Sequence, residues 1–330
     1  METTATVSTT RRSGNLTSRL GDFGPTYGAL FALVLLVVAN AIFTPYFATL
    51  SNLWNVLQLV SATVLVAVGM TMVIATGGID LSVGSIMAIA SAAAAVSFGR
   101  GTAVAILFAL LTACAVGAFN GALVSGFRIQ PIIVTLATLI TGRGAAQVIS
   151  NGGQLIPFSN PGFEYLGKGY IGPVPVPVVI MLAVVAAGIF IMRATSFGRY
   201  VLAIGGNEAA ARLAGVKVHR TKIAVYAFSG LLAGLAGLVE TARLGASDAQ
   251  KVGLYIELDA IAAVVVGGTA LTGGRATIVG TLIGALIMQV ITTSFNMGPF
   301  GLNPLPYSWG LVFKAAIILL AVYIQRPKLA

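Results

Sequence analysis

Long apolar runs separated by short polar stretches dominate the chain from about residue 26 onward. A membrane-spanning helix needs about 20 mostly apolar residues. Ten runs qualify or nearly qualify, at roughly 26–45, 55–76, 81–98, 103–125, 131–150, 174–193, 222–241, 256–268, 276–296 and 309–325. The eighth is too short to cross alone, and reads as a half-helix or as a segment continuing irregularly through the glycines after it. Residues 1–25, rich in Ser, Thr and Arg, read as a disordered cytoplasmic tail, and 26–326 as one transmembrane domain. Arg11, Arg12 and Arg19 precede the first run, and Ala39-Asn40-Ala41 mimics a signal cleavage site. That run is longer than a usual signal core, so an uncleaved first helix is expected. The expected fold is all-α and polytopic, with about ten transmembrane helices, some broken at Gly-rich motifs.

Composition turns this pattern into an exclusion. The 330 residues are 57% hydrophobic and 8% charged, against about 25% charged in a soluble domain. The mean hydropathy is +0.97. So few charges cannot cover a soluble fold of this size. With the N-terminus inside, alternate loops place thirteen Lys and Arg on the inner side: Arg11, Arg12, Arg19, Arg128, Arg193, Arg199, Arg212, Lys217, Arg220, Lys222, Arg275, Arg326 and Lys328. The outer side has four, Arg100, Lys168, Arg243 and Lys251. By the positive-inside rule both termini are cytoplasmic. The pI near 10.1 is then a topology signal, and nucleic acid is excluded as a partner.

Scarce residues exclude chemistry as well. Cys114 is the single cysteine and His219 the single histidine, so thiolate clusters and two-His metal sites cannot form within the chain. No P-loop pattern is present, so ATP is not hydrolysed that way here. A membrane enzyme is therefore a distant reading, and a catalytic site is not expected.

Two segments break the apolar pattern in related ways, Thr76 to Ser85 and Val266 to Gly274. Aligning Gly77 with Gly267 also matches Gly78 with Gly268, Leu81 with Leu271, Ser82 with Thr272 and Gly84 with Gly274. Internal duplication is one explanation, and two tight cytoplasmic turns are the other. Asp80 opens the third span, either as its N-cap or as a substrate contact. Glu257 and Asp259 open the eighth with favourable dipole placement near the outer face. Glu240 and Arg243, one turn apart, are expected to pair. Arg143 either snorkels outward or donates into a pathway, and Lys314 snorkels. Gln58, Asn120, Gln130, Thr135, Thr138, Gln147, Gln289 and Asn296 punctuate the spans, either lining a path for a neutral polyhydroxylated solute or acting as interhelical glue. The outer loop 151–173 is a connector or an external contact. In the charged inner loop 194–221, Asn207 to Gly215 has high helix propensity, with Asn207 as cap and Gly215 as stop. Its two open readings are a short amphipathic helix held on the cytoplasmic face and a basic helix resting on membrane lipid.

Several long motifs resemble the ribose-type branch of bacterial ABC sugar-importer permeases. They are Gly69 to Gly84, Ile129-Gln130-Pro131 with Thr135 to Thr138 and Gly142-Arg143-Gly144, Gly205 to Gly215, and Glu257 to Gly268. Arg143-Gly144 with Gln147, and Gly253 to Ile261, look similar to galactofuranose-type members. The resemblance covers about 25–327, but the tail after Phe295, with Pro299, Pro304 and Pro306, does not match closely. It implies a bacterial inner-membrane permease subunit that imports a monosaccharide by alternating access. The partners implied are a second permease copy or paralogue, separate ABC ATPase subunits carrying ATP and Mg, and a periplasmic or lipoprotein sugar-binding protein. It also implies that Gly205, Gly206, Asn207, Glu208, Ala210, Ala211 and Gly215 form the coupling segment. Candidate substrate-path residues are Gln58, Gly77, Gly78, Asp80, Ser82, Asn120, Gln130, Thr135, Arg143, Glu257, Asp259, Gly267 and Gly268. An ATP-independent facilitator or channel is the rival reading.

Overall fold

A computed structural model describes residues 16–298 and 307–325. Pro299, Pro304 and Pro306 lie outside the described residues, as do Arg11, Arg12, Arg326 and Lys328. The chain forms thirteen α-helices among the described residues. They are α1 (Leu16–Phe43), α2 (Leu50–Ala75), α3 (Val83–Ser97), α4 (Thr102–Gly126), α5 (Pro131–Ile149), α6 (Pro161–Lys168), α7 (Val176–Ala194), α8 (Ser196–Gly206), α9 (Glu208–Leu213), α10 (Val218–Leu244), α11 (Ile256–Val266), α12 (Ile278–Met297) and α13 (Tyr307–Gln325). The first helix begins at Leu16, inside the stretch read from sequence as a tail. Seven helices are long and apolar enough to cross a membrane: α2, α3 with the turn after it, α4, α5, α7, α10 and α12. The apolar part of α1 is shorter, Tyr27–Phe43, and α11 has only 11 residues.

Polar caps set several boundaries. Thr49, Asn160, Thr195, Asn207 and Thr277 each accept a first-turn amide of the helix that follows. The fold's centre is α2 packed with α10, α3 and α4, where Val64, Met70, Met87 and Leu238 are fully enclosed. Small residues permit the close crossings. On α4, Gly117 and Gly121 face Gly230, Tyr226 and Ile223 of α10, and a Cβ at Gly230 would stand 3.0 Å from the Gly117 Cα. In lipid, helix association depends on such backbone approach, because apolar side chains gain nothing from leaving water.

One end of the bundle gathers the basic residues of 194–222 and is called the basic end. The opposite end is closed by the loop 151–173, which is not a free connector. Its Phe163 is buried against Phe98 and Phe158, with ring centroids 4.9 and 5.2 Å away. Gly167 lies on the backbone of Ala242 and Arg243 at the end of α10. Ile156–Pro157 (β1) pairs antiparallel with Ala246–Ser247 (β4), and Tyr170–Ile171 (β2) with Val174–Pro175 (β3).

Replacing Gly117 by Leu is expected to destabilise the bundle by about 1–3 kcal/mol or more, the cost of overpacking. Thermal unfolding in detergent reads this directly. Gly99→Ala, where nothing lies within 4 Å of the added Cβ, should leave the midpoint unchanged.

Candidate functional site

Both glycine motifs are helix ends of one kind. After α2, Gly77 has φ +80°, its amide bonds to Ile74 O at 2.8 Å, and the Gly78 amide bonds to Val73 O at 3.2 Å. After α11, Gly268 has φ +89°, its amide bonds to Val265 O at 2.9 Å, and the Thr269 amide bonds to Val264 O at 3.2 Å. This is the double bond of a Schellman cap, which needs a left-handed residue and so favours glycine. Gly77 therefore corresponds to Gly268 rather than to Gly267. The sequence alignment was displaced by one residue, because two neighbouring glycines hide which one carries the positive φ.

The two ends also meet each other. The Gly274 amide donates to Ala75 O at 3.0 Å. A Cβ on Gly273 would stand 2.9 Å from the Gly77 nitrogen and 3.1 Å from the Gly205 Cα. Gly205, at the end of α8, sits on the Ala75 carbonyl and the Gly274 amide themselves. A side chain there would enter the hydrogen bond. Next in the chain, Asn207 Oδ1 accepts the Ala210 amide at 2.9 Å and starts α9. Gly215 ends the turn at φ +83°. The expected helix with cap and stop is thus present, joined to both glycine breaks through Gly205 and Gly206.

On α9, Ala211 is buried against Ile204 and Val218. Glu208 bonds Lys222 at 2.6 Å and Arg212 at 3.0 Å. These bonds, that to Lys222 foremost, hold the Glu208 carboxyl below its ordinary value. Leu213 is 91% exposed, pointing opposite to Ala211. Sequence reading had omitted it, although its placement two residues from Ala211 puts it on the other helical face.

The Asp80 carboxylate is fully buried and does not cap α3. Its Oδ1 accepts the Ser82 amide at 3.0 Å and the Ser82 hydroxyl at 2.6 Å, and its Oδ2 accepts the Ser229 hydroxyl at 3.1 Å. Asn120 donates to Ser82 Oγ at 2.9 Å, and Thr138 donates to Asn120 Oδ1 at 2.6 Å. Thr135 donates to Pro131 O at 2.9 Å and to Ile79 O at 3.3 Å. These groups join α3, α4, α5 and α10 near mid-height of α10, which is the glue reading of the span polar residues. Tyr226, also missed, places its buried hydroxyl beside Gly78 without a hydrogen-bond partner among the described residues.

The loop from Gly245 to Tyr255 turns back into the bundle, and Gly253 rests on Gly84 and Met87 of α3. Here α3 and α11 both begin, and from here they run to opposite ends. Arg143 is half-buried and holds the returning loop. Its guanidinium donates to Ala249 O at 3.1 Å, Val252 O at 2.7 Å and Gly253 O at 3.2 Å. Glu240 does not pair with Arg243; its Oε2 accepts the Gly253 amide at 3.4 Å. Glu257 is buried beside Gly84, with Oε2 unpartnered among the described residues. Lys314 does not snorkel but pairs with Asp259 at 2.9 Å, joining α13 to α11. Gln58 is half-buried on α2 and Gln130 is exposed before α5. No group of three or more metal-ligating side chains occurs among the described residues.

A bundle of apolar helices interrupted at glycines, with half-helices beginning inside it, defines a polytopic membrane protein of the kind from which solute permeases are built. The chain belongs to the permease family described as branched-chain amino acid transport system / permease component, whose model matches residues 52–322. That stretch passes Phe295, so the tail that motif comparison left unmatched lies within the family up to residue 322. The ribose import permease protein RbsC of Escherichia coli strain K12 is 43% identical over 309 residues, covering 91% of this chain and 93% of its own. RbsC of Bacillus subtilis strain 168 is 40% identical over 306 residues, 92% of this chain and 93% of its own. The galactofuranose transporter permease protein YtfT of Escherichia coli strain K12 is 37% identical over 309 residues, 91% of this chain and 89% of its own.

Gly205→Ala is expected to destabilise the chain by about 1–3 kcal/mol, since it wedges the Ala75–Gly274 bond apart. Gly206→Ala should not, because nothing lies within 4 Å of its Cβ; thermal unfolding of the two variants provides the comparison. For α9 the sign follows from Glu208, whose folded value lies below the ordinary 4.5. Its contribution is fully present above that value and is lost as pH falls through the folded one. Amide exchange of α9, corrected for intrinsic rates, should be level above about pH 5 and accelerate below it. Glu208→Gln should remove the pH dependence.

Proposed function

We propose that the chain is the membrane permease subunit of an ATP-binding-cassette importer for a monosaccharide, of pentose or hexose type, in a bacterial inner membrane. The observation that carries this reading is the 43% identity over 91% of the chain to a ribose import permease. The excess of cations counted on the inner side supports a cytoplasmic placement of the basic end. Ten membrane segments, α1 to α5, α7 and α10 to α13, return both termini to that side, with α11 a half-helix.

In this reading α9 is the coupling helix and enters a groove on an ATPase subunit that binds ATP and Mg. Leu213, exposed on the face of α9 away from Ala211, serves as its apolar anchor in that groove. Ala211 holds the helix to α8 and α10. Motion of the ATPase pair moves α9 and α8, and through Gly205 it moves the breaks at Gly77 and Gly268. At the other end, Arg143 and Glu240 hold the returning loop as an outer closure. Asp80, Ser82, Asn120, Thr135 and Glu257 act as positioning groups around the point where α3 and α11 begin. Gln58, Gly77 and Gln130 keep some exposure and remain path candidates. A second permease copy or paralogue completes the path, and a sugar-binding protein docks on the end formed by α6 and β1–β4.

The test is uptake of radiolabelled ribose and galactose by vesicles carrying the whole complex. Uptake should require ATP inside, and Leu213→Glu should lower it by about tenfold or more, as loss of an interface anchor does, with the variant still in the membrane. ATP-independent uptake would identify a facilitator instead, and unchanged uptake by Leu213→Glu would remove α9 from the coupling role.

A further inference from the structure

Among the described residues, two buried side-chain polar atoms have no hydrogen-bond partner, the Tyr226 hydroxyl and Glu257 Oε2. Tyr226 is 1% exposed and Glu257 8%, so bulk water serves neither. Such groups are rare, because an unmet buried donor or acceptor is costly. Both atoms lie against one short stretch of backbone, residues 78–84, which joins the cap of α2 to the first turn of α3. A Cβ on Gly78 would stand 2.5 Å from the Tyr226 hydroxyl, and one on Gly84 would stand 2.6 Å from Glu257 Oε2. With glycine at both places, no side chain separates the stretch from either atom. Both atoms therefore face backbone of their own chain, which points to a moving segment and not to a bound solute.

Each atom also has an unused counterpart on that stretch. Tyr226 precedes Ser229 by three residues on α10, so the two hydroxyls share a helix face. Ser229 donates to Asp80 Oδ2 at 3.1 Å, whereas Oδ1 already accepts two bonds, both from Ser82. A carboxylate oxygen accepts two bonds, so Oδ2 can take one more. The charge of Asp80 acts on Tyr226. At the other end, Ser82 makes no side-chain cap to α3, and first-turn amides have no partner within their helix. A carboxylate is a strong acceptor for such amides, and that of Glu257 stands beside Gly84 in this turn. The stretch follows directly on Gly77, which packs against Gly273, and Gly273 in turn rests on Gly205. Movement of α8 is thereby passed to it.

We propose that residues 78–84 have two positions, and that Tyr226 and Glu257 are the partners of the second. In the position seen here, Ser82 and Ser229 hold Asp80 and the two atoms stay unpaired. In the second, the Tyr226 hydroxyl donates to Asp80 Oδ2, and Glu257 caps the first turn of α3 from α11. Neither residue touches the solute in this scheme. Both are positioning residues that act through the α2–α3 break. The bonds gained offset the cost of moving the stretch, so a modest push from α8 through Gly205 shifts the balance. The proposal rests on the reading of the chain as an ATP-driven permease, which supplies that push.

The test uses the whole transporter in lipid nanodiscs, with Cys114 replaced and spin labels at the exposed Thr272 and Gln250, read by pulsed electron resonance with and without ATP. The wild type should show two distances, one of them matching this structure. Y226F removes an unmet hydroxyl from one position and a hydrogen bond from the other. It should lower the second population about tenfold, and with it the uptake of radiolabelled ribose or galactose, whichever the wild type takes up. E257L should act in the same direction, and E257Q, which keeps an acceptor, should fall between E257L and the wild type. Under the condition that gives this structure's distance, the thermal midpoint of Y226F should not fall, since no bond is lost there. A lowered midpoint would show the hydroxyl bonded in this position and overturn the proposal, as would wild-type populations and uptake in Y226F. A single distance in the wild type, with ATP-dependent uptake intact, would remove the second position and overturn it too. ATP-independent uptake by the wild type is the separate sign that the importer reading fails, and the ATP-driven switch falls with it.

Discussion

The hydrogen bond from the Gly274 amide to the Ala75 carbonyl, 3.0 Å long, is the joint on which the architecture turns. A helix that stops within or at the edge of a bilayer leaves carbonyls without partners, and lipid supplies none. Here two interrupted helices satisfy one another. Their Schellman caps take up most of the freed groups, and the Ala75–Gly274 bond links the ends. Only a residue without Cβ fits at Gly205, so the end of α8 can lie directly on that bond. A loop that would otherwise be an appendage is thereby fixed to the two points where the helices are broken.

Charge follows the same economy. A buried carboxylate is tolerable only when donors surround it. Asp80 receives bonds from Ser82 and Ser229, and these donors come from separated parts of the chain. Arg143 meets three carbonyls rather than an acid, so its charge fastens a returning loop that has no regular partner of its own. Lys314 and Asp259 cancel between α13 and α11. At the basic end the balance is different, with Arg128, Lys217 and Arg220 outside any ion pair among the described residues.

Local chemistry was legible in the sequence and long-range partnership was not. The apolar runs marked the seven helices long and apolar enough to cross a membrane, and Asn207 and Gly215 marked the ends of the α9 turn, because caps and span length are local properties. Asp80 was read as a cap because its position before α3 allows it. The helix starts later, at Val83, and Ser82 together with Ser229, 149 residues away, takes the carboxylate instead. Glu240 and Arg243 are one turn apart on α10, but the re-entrant Gly253 amide takes the carboxylate. The one-residue error in matching Gly77 arose because paired glycines look alike until a positive φ singles one out. The side of α9 that carries Leu213 could have been read from helical period, yet its exposure depends on Ile204 and Val218 covering Ala211.

If the glycine joint couples the loop to the breaks, α9 and the Gly268–Gly274 turn must move as one body. Spin labels at Ala209 and Thr272, both exposed, with Cys114 replaced, report this in the assembled transporter by pulsed electron resonance. A second pair, Thr272 and Gln250, spans the bundle from the basic end to the outer loop. On ATP binding the account predicts an unchanged distance for the first pair and a changed one for the second. A shift between Ala209 and Thr272, with Thr272 to Gln250 constant, would show α9 moving free of the breaks and would contradict it.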